Sequence, residues 1–453
     1  MNWCPLLTSH LILFSIKQGG VSMYLIKALF NFRKLEALMP VIAIACLFLG
    51  ILTAKSSFAM SSYVASWLSS LIDCYKYASP VVIFLVLAYS LSYIFKESRG
   101  EFAARAILFF FKTRLIACIW AVAFTSLCLR LPLLPRAFNG SFSEFSGSVI
   151  TLMSSLSRNA FSYAIVLAVL VSLLSNKFTS IYKIVSVPTK LIEKFGDILF
   201  PLIPVFMFMV GVYIYSLPDE VNNIMIKEGS GAMDFHNFKV FGMSLAADSA
   251  GGLFAIYIVI SMFVGVATLL WHLGFVFFVR KVVSGFSIKH YFSNYWIQMF
   301  PFLFATASES LSMPLNLALV NKHFPEINKM VRDFTVSIGS YIGINGTSIC
   351  VFVMAAFVAK LVGVELSFFE LLISIPIVVI IGLGVPGIPG ELLLFGAPLA
   401  AFYNLPAAVA TVFITIFVGL QLGLPDSFRS GVNSTDNSLV CIYLNSLYEE
   451  KDI

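Results

Sequence analysis

Stretches with no charged side chain recur at bilayer-spanning length, among them residues 37–54, 80–95, 115–129, 159–176, 251–279 and 371–390. About 20 apolar residues of helix cross a hydrocarbon core roughly 30 Å thick. Repetition on that scale points to a polytopic integral membrane protein. Composition agrees, since only 11% of the chain is charged, against about 25% in an ordinary soluble domain. Backbone polar groups in lipid need internal partners, so an all-α protein is predicted.

The net charge of +6 does not read as a nucleic-acid face, because the basic residues are scattered through short loops. They act instead as topology signals. Placing Lys27, Arg33 and Lys34 inside also places Lys96, Arg99 and Arg105, Lys177, Lys183, Lys190 and Lys194, Arg280, Lys281 and Lys289, and Lys322, Lys329 and Arg332 inside. The acidic loop 219–234 then falls outside, with both termini cytoplasmic. In a bacterium the membrane would be the inner, cell membrane. Seven scattered cysteines show no metal-type pairing and read as small apolar fillers. The short apolar run 11–16 is too brief for a span, and Met23 is an alternative start.

The first half reads as ordinary spans near 37–54, 62–95, 103–129, 147–175, 190–216 and 251–279. After Lys289 the apolar stretches are interrupted by Ser, Gly and Pro at 306–314, 343–348, 382–390 and 425–437. Helix breakers at membrane depth persist only where they line a protein-buried or wet cavity, and they are the best sequence pointer to a transporter's binding site. Segments 288–321 and 367–400 are too long for loops and break at Ser308–Ser312 and Gly384–Gly390, so they read as re-entrant helical hairpins. For 384–390 a kinked span or an extramembrane turn is the plainer alternative.

The run 425–437 follows an apolar stretch, 407–423, that reaches deep into the bilayer. At 100° per residue Asp426, Arg429, Asn433, Asp436 and Asn437 share one stripe of helix. Each Asp or Arg at a helix centre costs roughly 2.5 to 3.5 kcal/mol on insertion scales, so the stripe needs partners or a task. Asp426 and Arg429, three apart, either satisfy each other or receive a guest, the fork taking a carboxylate and the acid an ammonium group. The second role requires a buried guanidinium that a guest can reach. Saturation of that group by its own neighbours would count against it.

The Ser-rich tip, the Gly343-Ile344-Asn345-Gly346-Thr347 break, the Gly-Val-Pro-Gly tip and the Asp-x-x-Arg-x-x-x-Asn helix, in this order, resemble the dicarboxylate/amino acid:cation symporter family of glutamate/aspartate transporters. The resemblance covers residues 290–440 by motif and the first half only by helix pattern. It implies eight transmembrane helices plus two re-entrant hairpins in a trimeric elevator fold. The parts would be a cytoplasmic segment 1–36, scaffold helices 37–95 and 147–216, and a mobile unit of 103–129, 251–280, 288–321, 329–360, 367–400 and 405–445.

Carried over residue by residue, the resemblance gives Arg429 the side-chain carboxylate of an acidic amino acid and Asp426 its amino group. Asn433, Thr347 and Ser430 lie beside them, Ser308 and Ser310 belong to one tip, and Val385, Pro386 and Gly387 form the lid. The acid at 426 favours an amino acid over a plain C4-dicarboxylate.

Two sodium-binding carboxylates of the family align with Asn345 and Asn437, leaving at most a weakened Na+ site at Gly343, Asn345, Asn433 and Asn437. Thr113 and Arg114 fall near the family's third-helix sodium motif. Arg114 either substitutes for a bound cation or, with Lys112, snorkels at the helix end. Glu309 is a proton-coupling candidate, because burial disfavours a charged carboxyl. Glu391 reads more plainly as an acid favouring a helix dipole. The coupling ion is therefore Na+ or H+, with no other cofactor expected.

An intramembrane enzyme would need a nucleophile and base or a metal cluster, and the five histidines show no paired spacing. His272 reads as a packed, hydrogen-bonded residue or a proton relay. A channel would show pore-lining rings, which one asymmetric Asp/Arg stripe does not supply.

Overall fold

A computed structural model describes residues 32–56, 101–134, 160–178 and 250–449 nearly continuously, with scattered positions between 63 and 245; within the last block 386, 388, 389 and 422 are excepted. The acidic loop 219–234, most of the spans expected at 62–95 and 190–216, and the 147–159 part of the span expected at 147–175 lie outside the described residues.

Among the described residues the chain is helical except for one short antiparallel hairpin, β1 (Phe238–Val240) paired with β2 (Met243–Leu245). In it Phe238 and Val240 alternate with Lys239, the period-two pattern of a strand.

The uncharged stretches become α1 (Phe32–Ser56), α2 (Glu101–Leu129), α3 (Ala160–Lys177) and α4 (Ala250–Val282). Segments 102–129, 254–282 and 329–361 are each long and apolar enough to cross a membrane, and the bent pair 407–421 and 424–448 makes a fourth candidate. On α3 the exposed residues Tyr163, Val166, Leu167, Leu170, Leu173 and Leu174 repeat at helical spacing. A soluble protein would not leave such a stripe in water, whereas lipid solvates it at no cost.

Past Val282 every long apolar stretch is interrupted. α5 (Ile288–His290) continues through a π turn (Tyr291–Trp296) into α6 (Ile297–Thr306), which stops at Ala307 in the left-handed region (φ 48°). After that stop α7 (Glu309–His323) starts again. The break is Ala307–Ser308, so Ser310 and Ser312 are already helical and the break falls earlier than a tip centred on Ser308–Ser312 predicts. Tyr295 donates to Asn316 Oδ1 (2.7 Å), and His290 Nε2 lies 2.9 Å from the His323 carbonyl. These bonds tie the far ends of the two arms side by side.

The seventh span is likewise two helices, α8 (Lys329–Ile342) and α9 (Asn345–Leu361), separated at Gly343-Ile344. α9 is buried on all sides from Asn345 to Ala359 and apolar all round beyond its first turn, as a helix without an outer face must be. α10 (Phe368–Ile373), held by a Ser367/Glu370 capping box, and α11 (Ile375–Ile381) lead into the second break, after which α12 (Leu393–Phe402) returns. The eighth span divides into α13 (Ala407–Gln421) and α14 (Leu424–Glu449) around Gly423 (φ 82°). Phe352 and Phe357 of α9 pack with Phe395, Phe413 and Phe417 in the main apolar core. α14 lies against α4, α6, α8 and α9, which brings its polar stripe to the middle of the broken helices.

Candidate functional site

The two tips touch. Glu309 N donates to the Gly387 carbonyl at 3.0 Å, and Ser308 Oγ points to the same oxygen at 3.3 Å. Gly387 sits at φ 67°, and a Cβ there would lie 3.0 Å from Ser340 O and 3.1 Å from Glu309 Oε2, so both conformation and space call for glycine. Val385, beside it, is wholly buried in extended conformation. Pro386 lies outside the described residues.

Arg429 lies beneath this junction with no exposed surface. Its Nε donates to Asp426 Oδ1 at 2.6 Å, and Nη2 reaches the same oxygen at 2.5 Å. Nη1 faces Glu309 Oε1 at 3.3 Å, Thr347 Oγ1 at 3.2 Å and the Glu391 carboxylate. Asp426 Oδ2 accepts from Gly390 N at 2.9 Å, which joins the second tip to α14. Asn433 donates to Glu309 Oε1 (2.7 Å) and Thr347 Oγ1 (2.8 Å), and its own carbonyl accepts from Thr347 N (3.1 Å). Residues from both tips, the α8–α9 break and α14 thus meet on one guanidinium. The α9 backbone comes this close because position 346 is glycine: a Cβ there would collide with the Arg429 carbonyl oxygen.

The predicted residues Arg429, Asp426, Asn433, Thr347, Ser308, Glu309 and Gly387 are therefore gathered in one place. Ser430 is buried one position further along α14, and its hydroxyl has no partner among the described residues. Ser310 lies in the first turn of α7. Glu391 differs from its plain expectation, since its carboxylate is turned onto Arg429 and accepts from Thr347 Oγ1 at 2.7 Å instead of capping a helix end. Three carboxylates surround one cation, and the fork is filled by the protein's own groups, the saturation that counts against a guest reaching it in this conformation. One oxygen each of Glu309 and Glu391 remains buried without a partner among the described residues.

One turn along α14 lies a second polar cluster. Asp436, fully buried, receives Trp271 Nε1 at 2.8 Å, Asn345 Nδ2 at 2.9 Å and His272 Nδ1 at 2.7 Å. His272 is packed and hydrogen-bonded, its partner being an acid on a neighbouring helix. The Asn437 side chain lies against Gly343, and both its polar atoms, like Asn345 Oδ1, are buried without partners among the described residues. Thr113 donates its hydroxyl to Phe110 O of its own helix (3.0 Å).

Arg114 does not snorkel. It is 1% exposed and donates to the carbonyls of Ile342, where α8 ends, and Val379 in α11 (3.1 Å). Terminal carbonyls carry partial negative charge, and a guanidinium fills that position. Lys112 is exposed, as a lysine at a lipid or water face would be.

Residues 38–447 match the family model described as the sodium:dicarboxylate symporter family.

Proposed function

Because this chain belongs to the sodium:dicarboxylate symporter family, we propose that it is a secondary active transporter of an acidic amino acid, driven by protons. That it is a multi-pass membrane transporter follows from the family and the apolar helices. The substrate, the coupling ion and the elevator motion of a trimer are our reading.

The observation that carries the proposal is the convergence of four interrupted helical segments on one buried guanidinium. Arg429 takes the guest's side-chain carboxylate and Asp426 its ammonium group, while Thr347, Asn433, Ser308 and Ser310 supply hydrogen bonds to its main carboxylate. Val385 to Gly387 close above it. An acid at 426 that already accepts a hydrogen bond from Gly390 N suits an ammonium donor, which a plain dicarboxylate lacks.

Charge calls for a coupled cation, and occupancy favours protons over sodium. Glu309, Glu391 and Asp426 outnumber Arg429, so a guest that brings further negative charge must arrive with cations. The two sodium-type acids are Asn345 and Asn437, and Asp436 is engaged by His272, Trp271 and Asn345. Arg114 stands at the carbonyl ends that a bound cation would use. In the elevator reading α2, α4 and everything after Val282 move as one body against the remaining helices, within a cell membrane and with cytoplasmic termini.

The test is uptake of labelled aspartate into proteoliposomes under imposed sodium, proton or null gradients. Accumulation driven by an inward proton gradient without sodium is expected. Strict sodium dependence defeats the coupling assignment, and transport of no acidic amino acid under any gradient defeats the substrate assignment.

A further inference from the structure

We propose that Glu391 is a built-in stand-in for the substrate: its carboxylate occupies Arg429 when no guest is present, so binding exchanges one carboxylate for another. The proposal rests on the substrate reading above. It concerns what sets affinity and what keeps the empty site closed.

Three observations carry it. Glu391 is borne by the segment just after the second tip, between Gly390 (φ 77°) and α12, and not by the helix that bears Arg429. Its Oε1 meets both Arg429 Nη1 and Thr347 Oγ1, the two donors assigned to a guest's carboxylate oxygens. Asp426, by contrast, holds the opposite side of the fork through Nε and Nη2, so the end of the guanidinium that faces the tips is the end Glu391 fills. Asp426 and Glu309 pair the rest of the fork, and Glu391 completes the pairing of this buried guanidinium while the site is empty.

Opening of the tip withdraws Glu391 and leaves Nη1 to Glu309 and Thr347, and the arriving carboxylate takes the vacated position as the lid closes. The carrier can thereby close in two forms, guest bound or Glu391 bound, which lets the empty site return across the membrane. Self-occupancy also weakens apparent affinity, because only the fraction with Glu391 withdrawn binds. The charged and titratable groups facing Glu391 are Arg429 and Asp426 on α14, Glu309 on α7, Arg114 on α2 and Cys350 on α9.

The experiment compares the full-length protein in nanodiscs with Glu391→Gln, which keeps the side-chain shape and can still accept from Thr347. Aspartate should bind Glu391→Gln at least about tenfold more tightly by titration calorimetry, and Glu391→Asp, one methylene shorter, should fall between. Hydrogen exchange over residues 384–392 without substrate should rise in Glu391→Gln and return to the parent level on adding aspartate. Aspartate affinity equal to or weaker than the parent's overturns the stand-in role. So does a substrate-free tip as protected as the parent's, and this readout needs no guest to bind. If the tip loosens but no acidic amino acid restores it or binds either protein, the substrate assignment fails and the lid-holding role of Glu391 survives.

Discussion

Arg429 shows how far one residue can be read from sequence. Its burial followed from the apolar run before it and the stripe it shares with Asp426 and Asn433, and it has no exposed surface. That its fork would be filled by Glu309 and Glu391 did not follow, because both acids lie on other segments and helical periodicity reports only same-helix neighbours. The same limit hid the His272–Asp436 pair, whose members sit 164 residues apart. The signal available was the excess of acids at membrane depth, each of which needed a partner. Arg429→Ala leaves three buried carboxylates without their cation, and breaking a buried pair typically costs about 3–5 kcal/mol. We expect that loss in chemical unfolding of the detergent-solubilised protein, together with loss of aspartate binding. Unchanged stability would show that the three acids do not depend on the guanidinium. Asp436→Asn removes only one charge from a cluster in which Trp271 and Asn345 can still donate to the remaining carbonyl oxygen. A smaller loss, about 1–3 kcal/mol, is expected in the same assay.

At the scale of elements the interruptions were legible because Gly, Pro and Ser in an apolar run loosen a helix that lipid would otherwise keep intact. Their positions to the residue were not. The first break falls at Ala307, which adopts φ 48° although nothing in an alanine announces it. The span expected at 405–445 divides at Gly423, a single glycine that a membrane helix often tolerates unbroken. The α8–α9 break exposes terminal carbonyls that need positive charge, and Arg114 supplies it from α2. The alternatives of resident cation and snorkelling side chain could not be separated from sequence, since both use the same residue at the same helical position. Arg114→Ala should leave the carbonyl ends unpaired and open to a hard cation, which takes oxygen ligands. Thermal unfolding in sodium chloride against choline chloride reads this directly. The variant should gain stability in sodium while the parent does not, and equal curves for the variant in the two salts would remove Arg114 from the cation position.

For the whole molecule the membrane assignment needed only the repeated uncharged stretches, while the relative motion of its parts is a separate claim with its own test. α1 packs against α4 and α6, so an elevator in which α1 belongs to the fixed frame and the other two to the moving body must slide that contact. Phe48 of α1 and Phe254 of α4 mark the place, with ring centroids 5.2 Å apart. Replacing both by cysteine in a background lacking the seven native cysteines, and joining them with a short thiol-reactive cross-linker, fixes α1 to α4 without touching Arg429 or the tips. Aspartate binding should then persist, because the site lies within one body. Uptake should stop and recover when a cleavable linker is reduced. Uptake at the uncross-linked rate would mean that α1 and α4 travel together. The boundary between frame and moving body would then have to lie elsewhere, or the substrate would have to cross by local gating at the tips alone.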